Sequence, residues 1–266
     1  MPISDRTAGR DPVAGLLPVE PGPGRPPQRR LRPAPANTED ARVPDRAAVP
    51  AGVVLAGSTA AVELPAGAVG WLSRAERDRA AALVRAGDRA DYIAAHVLVR
   101  RCAGLLLGAS PDQLTVVQHC PQCGRTGHGR PSLEEAPELR LSLTHTRGYV
   151  AAAADTEDIA VDVERVPDPD RVSQLATTVL TPAELAVLAG STDPGETFAR
   201  LWVRKEALVK LGLASLDTLS DFDVSPALPD GASWRGYAVL GWSEPAGQVV
   251  GAAVGRRKPV LVRLPG

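Results

Sequence analysis

The chain has 266 residues, 44% hydrophobic and 23% charged, which excludes collagen, coiled coil and wholly disordered protein and leaves room for one large or two small cored domains. Thirty basic side chains against thirty-one acidic ones give a net charge of −1, so no global field draws nucleic acid or an anionic bilayer, and a bound anion must be held by a local cluster. Three cysteines make no disulfide framework, no apolar run approaches the roughly 18 residues of a membrane helix, and Met1-Pro2-Ile3 opens no apolar leader, so a cytoplasmic protein without membrane contact is expected.

Residues 1–50 hold 11 of the 25 prolines and no aromatic residue, the composition of a disordered tail. Its eight arginines are interleaved with six acidic residues, which makes it a poor nucleic-acid arm. From Val53 the texture is globular. Val53–Ala56 reads as a strand, Ser73 as a helix N-cap closed into a capping box by Glu76, and Leu83–Leu107 as helical, stopped by Gly108 and Pro111. A short strand is expected over Leu114–Val117, then a loop rich in Cys, Gly and His up to Pro131.

Leu139–Leu143 alternates with period two, and Tyr149–Ala154 and Ile159–Glu164 follow as strands, split by the turn Asp155–Asp158. After the breaker Pro167–Asp170, helices are predicted near 171–179, 182–189, with Thr181 as N-cap and Glu184 in its first turn, and 195–212. Strands return over Phe222–Val224, Trp234–Leu240, Val249–Val254 and Val260–Arg263. The pattern of strand, helices and strands thus occurs twice, which predicts an α+β fold: a tail over 1–50 and two halves over 51–157 and 158–266.

Three stretches carry chemistry. In the helix Phe198–Gly212, Trp202, Glu206 and Lys210 fall at i, i+4 and i+8 on one stripe, where the plain alternative is a solvated Glu–Lys pair worth a few tenths of a kcal/mol. Only three lysines stand among the 30 basic residues, and Lys205 and Lys210 share this helix, placing compact, tunable ammonium groups where arginine serves elsewhere. On the strand from Ile159, period two puts Asp162 and Glu164 on one face, either a wet sheet face or two carboxylates converging on a cation. With Glu206 as a third oxygen donor, the set suits Mg²⁺ before Zn²⁺. In Ser142–Arg147, His145 lies between the hydroxyls of Thr144 and Thr146, which suits a phosphate or a structural histidine.

These stretches resemble the signatures of the surfactin-synthetase-type 4′-phosphopantetheinyl transferases. The Trp-x-x-Lys-Glu-x-x-x-Lys helix is present as Trp202, Lys205, Glu206 and Lys210, and the Gly-x-Asp-x-Glu strand as Ala160, Asp162 and Glu164. Upstream, Thr144-His145-Thr146 and Arg130-Pro131 match two further motifs, and Arg89–Arg100 is similar to the family's arginine-bearing helix. Two positions depart from the pattern: Ala160 stands where glycine is usual, crowding a bound nucleotide, and Thr144 replaces a serine.

The resemblance implies two halves related by pseudo-twofold symmetry, and transfer of the 4′-phosphopantetheine arm of coenzyme A to a serine of an apo acyl or peptidyl carrier protein, with release of 3′,5′-ADP. It implies Asp162, Glu164 and Glu206 as Mg²⁺ ligands, Glu206 also as base, and Lys210 on the reacting phosphate or leaving group. Lys205 is expected on phosphate or bracing Glu206, and Arg89, Arg130, Thr144 and His145 around the 3′-phosphate and adenosine. One chain suffices for such a site, so a monomer is expected, and no nucleic-acid partner. Two rivals are a coenzyme A-binding relative without transferase activity and a zinc-knuckle module. The latter rests on Cys120, Cys123 and His128, whose fourth ligand position is occupied by Leu133, so free thiols are expected.

Overall fold

The first strand, β1 (Val53–Ser58), sends Val53 and Leu55 into one core and Val54 and Ala56 into another, because alternate side chains leave a strand on opposite faces. In the computed structural model, which describes residues 52–119, 129–229, 231–244, 246 and 248–265, β1 is followed by α1 (Arg74–Ala82) and α2 (Ala86–Leu107). Then come β2 (Val116–His119), β3 (Arg130–Leu133), β4 (Arg140–Thr146) and β5 (Tyr149–Asp155). The second part runs β6 (Ile159–Arg165), α3 (Pro169–Val179), α4 (Pro182–Ala189), α5 (Pro194–Leu211), β7 (Ser233–Trp234), β8 (Tyr237–Glu244), β9 (Val249–Gly255) and β10 (Val260–Arg263).

The described residues form two four-stranded sheets, ordered β10-β1-β5-β4 and β6-β9-β8-β7, and a two-stranded ribbon of β2 and β3. Helix α2 covers β5 and β4, and α5 covers β6 and β9, each over its own apolar core. The other faces of the two sheets share a third cluster, where Val54, Ala151 and Ala153 meet Val161, Val163 and Trp242. Strand β10 leaves the second sheet's neighbourhood and runs parallel to β1, Val53 opposite Val260. No helix among the described residues is long and apolar enough to cross a membrane.

Glu76 closes the predicted capping box, Glu184 of the first turn of α4 closes a second, and both do more than cap. Glu76 accepts from Ser73 N at 2.6 Å, and Glu184 from Thr181 N at 2.8 Å, closing the boxes that start α1 and α4. Each is then buried against a cation from a long helix, α2 for Glu76 and α5 for Glu184. Arg100 of α2 grips Glu76 through both terminal nitrogens, at 2.9 and 2.6 Å, with His96 Nδ1 2.5 Å from the same carboxylate. Lys205 of α5 lies 2.8 Å from Glu184. Burial alone would raise the Glu76 pKa, but the hydrogen bonds from His96 and Arg100 overcome it and hold it at about 2.

The mixed α+β class is as predicted. Three local readings are corrected. Phe222–Val224 is not a strand: Asp223 Oδ1 turns onto Ser225 N and Val224 N is taken by Glu184, leaving no backbone for a ladder. The segment from Arg130 is strand rather than loop end, with Pro131 tolerated because the ribbon has only one partner strand. Leu83 closes α1 instead of opening the next helix. The predicted tail over 1–50 and the Cys120, Cys123 and His128 loop lie outside the described residues.

Candidate active site

Helix α5 owes its position to its ends. Asp193 caps it by accepting from Glu196 N at 2.9 Å, Pro194 occupies the first turn, and Gly212 ends it with φ +76°, a conformation glycine adopts without steric cost. In the last two turns this presents Glu206, half-buried, and Lys210 toward β6. On β6, Ile159, Val161 and Val163 enter the inter-sheet cluster, so Asp162 and Glu164 take the other face, as the alternation predicts. Ala160 shares their face and is buried in the helix-side core.

Asp162 is the centre of the site. It is buried, and its Oδ1 accepts from Lys210 Nζ at 2.7 Å and from Thr144 Oγ1 at 2.9 Å. Its Oδ2 is buried with no partner among the described residues. An ionised oxygen stripped of water and left unpaired is costly, and a cation is the natural remedy. Glu164 and Glu206 feel the same deficit. Burial first, and then the Asp162 charge, push Glu164 up to about 6. The same two causes raise Glu206, with Lys210 pulling against them.

The three predicted carboxylates are therefore close enough to repel one another, yet they do not close into a cage. Among the described residues no group of three or more His, Cys, Asp or Glu side chains is gathered to hold a metal ion by itself. The donor set fits a hard divalent ion that keeps water or phosphate ligands, as Mg²⁺ does, rather than a fully protein-bound one.

The other predicted residues divide. Thr144 is beside the carboxylates and donates to Asp162, whereas His145, the next residue along β4, leaves the opposite face toward Tyr92 of α2, its ring within electrostatic reach of Lys210 and Asp91. His145 is exposed by area, but the protein around its ring desolvates it enough to lower its pKa, against the opposing pull of Asp91. Arg130 is instead 3.4 Å from Asp158, at the start of β6, while His145 is near the far end of β4. Arg89 is exposed and donates to Leu83 O at 2.9 Å. The expected anion cluster is thus not assembled in one place.

Lys205 is a correction. It is fully buried and donates to Leu219 O at 2.6 Å and Phe222 O at 2.5 Å besides pairing with Glu184, so its three donors are spent on protein groups and it braces the fold. Trp202 likewise stacks on Phe198, centroids 6.2 Å apart, against the helix-side core. Asp91 escaped the sequence reading, and so did the contact Thr146 makes with Glu164, since the sequence placed Thr146 only beside His145. Asp91 receives Gly148 N through both oxygens, at 3.2 and 3.1 Å, and so pins the turn after β4. Thr146 Oγ1 lies 3.5 Å from Glu164 Oε2. Its signal was available: Ser142, Thr144 and Thr146 repeat a hydroxyl at the strand period.

Residues 158–239, which contain β6 and α5, match the model of the 4′-phosphopantetheinyl transferase superfamily. The chain is 27% identical over 146 residues to a 4′-phosphopantetheinyl transferase of Bacillus subtilis, a stretch covering 51% of this chain and 61% of that protein. The chain thus matches about three-fifths of the relative's length.

Proposed function

The superfamily resemblance of this chain is borne out by both the family model and the relative, and from it we propose that the protein is a phosphopantetheinyl transferase of the surfactin-synthetase type. It would move the arm of coenzyme A to a serine of an apo acyl or peptidyl carrier protein, with Mg²⁺, releasing 3′,5′-ADP. The observation that carries this reading is the buried, unpartnered Oδ2 of Asp162 between two carboxylates whose pKa values are raised.

Asp162, through Oδ2, and Glu164 would hold the ion, with Glu206 beside them. Bound there, Mg²⁺ supplies charge neutralisation for a pyrophosphate. Phosphoryl transfer asks the protein chiefly for positioning and electrostatics. In the reaction the serine Oγ forms a bond to the phosphorus carrying the pantetheine arm, the bond from that phosphorus to the bridging oxygen breaks, and 3′,5′-ADP departs. Glu206, its basicity raised by burial and by Asp162, takes the serine proton. Lys210 spends two of its three N–H donors on Val161 O and Asp162, leaving one for a phosphate oxygen. His145, kept largely neutral, offers a hydrogen bond rather than a fixed charge to the nucleotide end.

We read the two halves, 51–157 and 158–266, as pseudo-symmetric units of one cytoplasmic, monomeric enzyme. The strand orders β1-β5-β4 and β6-β9-β8 correspond, and each half repeats the buried pairing of a capping glutamate with a helix cation. Incubating an apo carrier protein with coenzyme A and Mg²⁺ and weighing the intact product tests the activity. Wild-type protein adds the phosphopantetheine mass, and Glu206→Gln, folded by circular dichroism, adds none. Full activity of that variant refutes the role of Glu206, and unmodified carriers throughout refute the transferase reading.

A further inference from the structure

Strands β4 and β6 are the edges of two different sheets, and no backbone ladder joins them. Exposed strand edges carry unpaired N–H and C=O groups that must find partners. Here side chains supply them. Ser142 Oγ accepts from Val161 N at 3.0 Å and Lys210 Nζ donates to Val161 O at 3.0 Å, closing the free edge of β6. Two residues further along β4, Thr144 donates to Asp162 at 2.9 Å, and two further still Thr146 approaches Glu164 at 3.5 Å. The hydroxyls stand at the strand period, so all three project from one face of β4.

We propose that this hydroxyl row is a positioning device for the cation-binding carboxylates: Thr144 and Thr146 orient Asp162 and Glu164 across the junction between the halves, and neither serves chiefly as a nucleotide contact. The inference rests on the reading that these carboxylates hold a divalent ion. A carboxylate can rotate about its Cβ–Cγ bond, and which oxygen meets a cation depends on what fixes the other. Thr144 and Lys210 both engage Oδ1, which saturates it and commits Oδ2 to the cation. A hydroxyl has one hydrogen to donate; that of Thr144 is spent on Asp162, leaving only its lone pairs, which a phosphate oxygen cannot use. Lys210 alone cannot replace the threonine, because it approaches from α5 in the same half as Asp162, whereas the threonine ties the carboxylate to the opposite half.

The test reads cation binding by the whole chain with no coenzyme A or carrier present. Mn²⁺, a paramagnetic probe for the Mg²⁺ site, is titrated into the protein and the free ion followed by electron paramagnetic resonance. Removing a hydrogen bond to a charged group weakens binding by about tenfold or more, so Thr144→Val is expected to raise the Mn²⁺ dissociation constant by at least that factor. Thr144→Ser keeps the hydroxyl and should restore binding to within about twofold, and Thr146→Val, losing the longer contact, should weaken it less than Thr144→Val. Unchanged binding in folded Thr144→Val overturns the inference, as does equal loss in Thr144→Ser, which would assign the effect to the methyl group. Should Thr144→Val fail to fold, Thr144→Ser and Thr146→Val carry the test. Because neither reaction partner is present, a chain that shows this pattern but modifies no carrier refutes the transferase reading and supports the positioning role.

Discussion

Replacing Lys205 with methionine separates a structural ammonium from a ligand-binding one. The lysine is fully buried and makes contacts at 2.8, 2.6 and 2.5 Å to Glu184, Leu219 O and Phe222 O. Methionine fills most of the volume but supplies no donor, so a fully buried carboxylate keeps its backbone hydrogen bonds but loses its counter-charge, and two carbonyls lose the lysine's hydrogen bonds. Removing one partner of a buried ion pair costs about 3–5 kcal/mol, a large share of the roughly 5–15 kcal/mol that stabilises a typical domain. Urea unfolding followed by tryptophan fluorescence should show a loss of that size. The double variant Lys205→Met, Glu184→Gln should recover part of it, since a neutral amide no longer leaves an uncompensated charge. A phosphate-contacting lysine would behave in the opposite way, leaving stability intact and raising KM for coenzyme A. Lys205→Met within about 1 kcal/mol of wild type would refute the assignment.

Two further outcomes follow from the packing. Glu76 has its pKa depressed from 4.5 to about 2, so its stabilisation is complete above pH 4.5 and is lost as pH falls from there toward 2. The gap corresponds to roughly 3 kcal/mol, and acid titration of unfolding free energy should lose that contribution in Glu76→Gln, which is less stable at neutral pH and flatter across this window. Gly251 is opposite Trp242 in the β8–β9 ladder, and a Cβ there would sit 2.2 Å from the indole. Gly251→Ala should therefore cost about 1–3 kcal/mol through overpacking, seen as a lowered midpoint in thermal unfolding; an unchanged midpoint would show that the ring can shift aside.

What the sequence disclosed was whatever depends on neighbours a few positions away. The boxes Ser73–Glu76 and Thr181–Glu184 and the proline and glycine at the ends of α5 mark helix boundaries locally, and period two separates Asp162 and Glu164 from Val161 and Val163. Phe222 and Val224 imitate the same period, but Asp223 and the distant Glu184 claim the backbone between them. Lys205 was misplaced for a related reason: one residue before Glu206, it leaves the helix about 100° away around the axis, and its partners at 184, 219 and 222 are set by tertiary packing. The separation of Arg130 from His145 was equally invisible, because they belong to different strands, β3 and β4, and the spacing of two motifs along the chain does not say which end of a neighbouring strand each one meets.

The parallel seat of β10 beside β1 has a consequence for how the protein is made. Residues 53–56 wait for partners at 260–263, which are made about 200 residues later. Until then the growing polypeptide bears a naked strand rim of Val53, Val54 and Leu55, the kind of surface that recruits other nascent chains. Translation that stalls before Val260 should yield a product prone to clump in the cell, even though every side chain around Asp162 has already been synthesised.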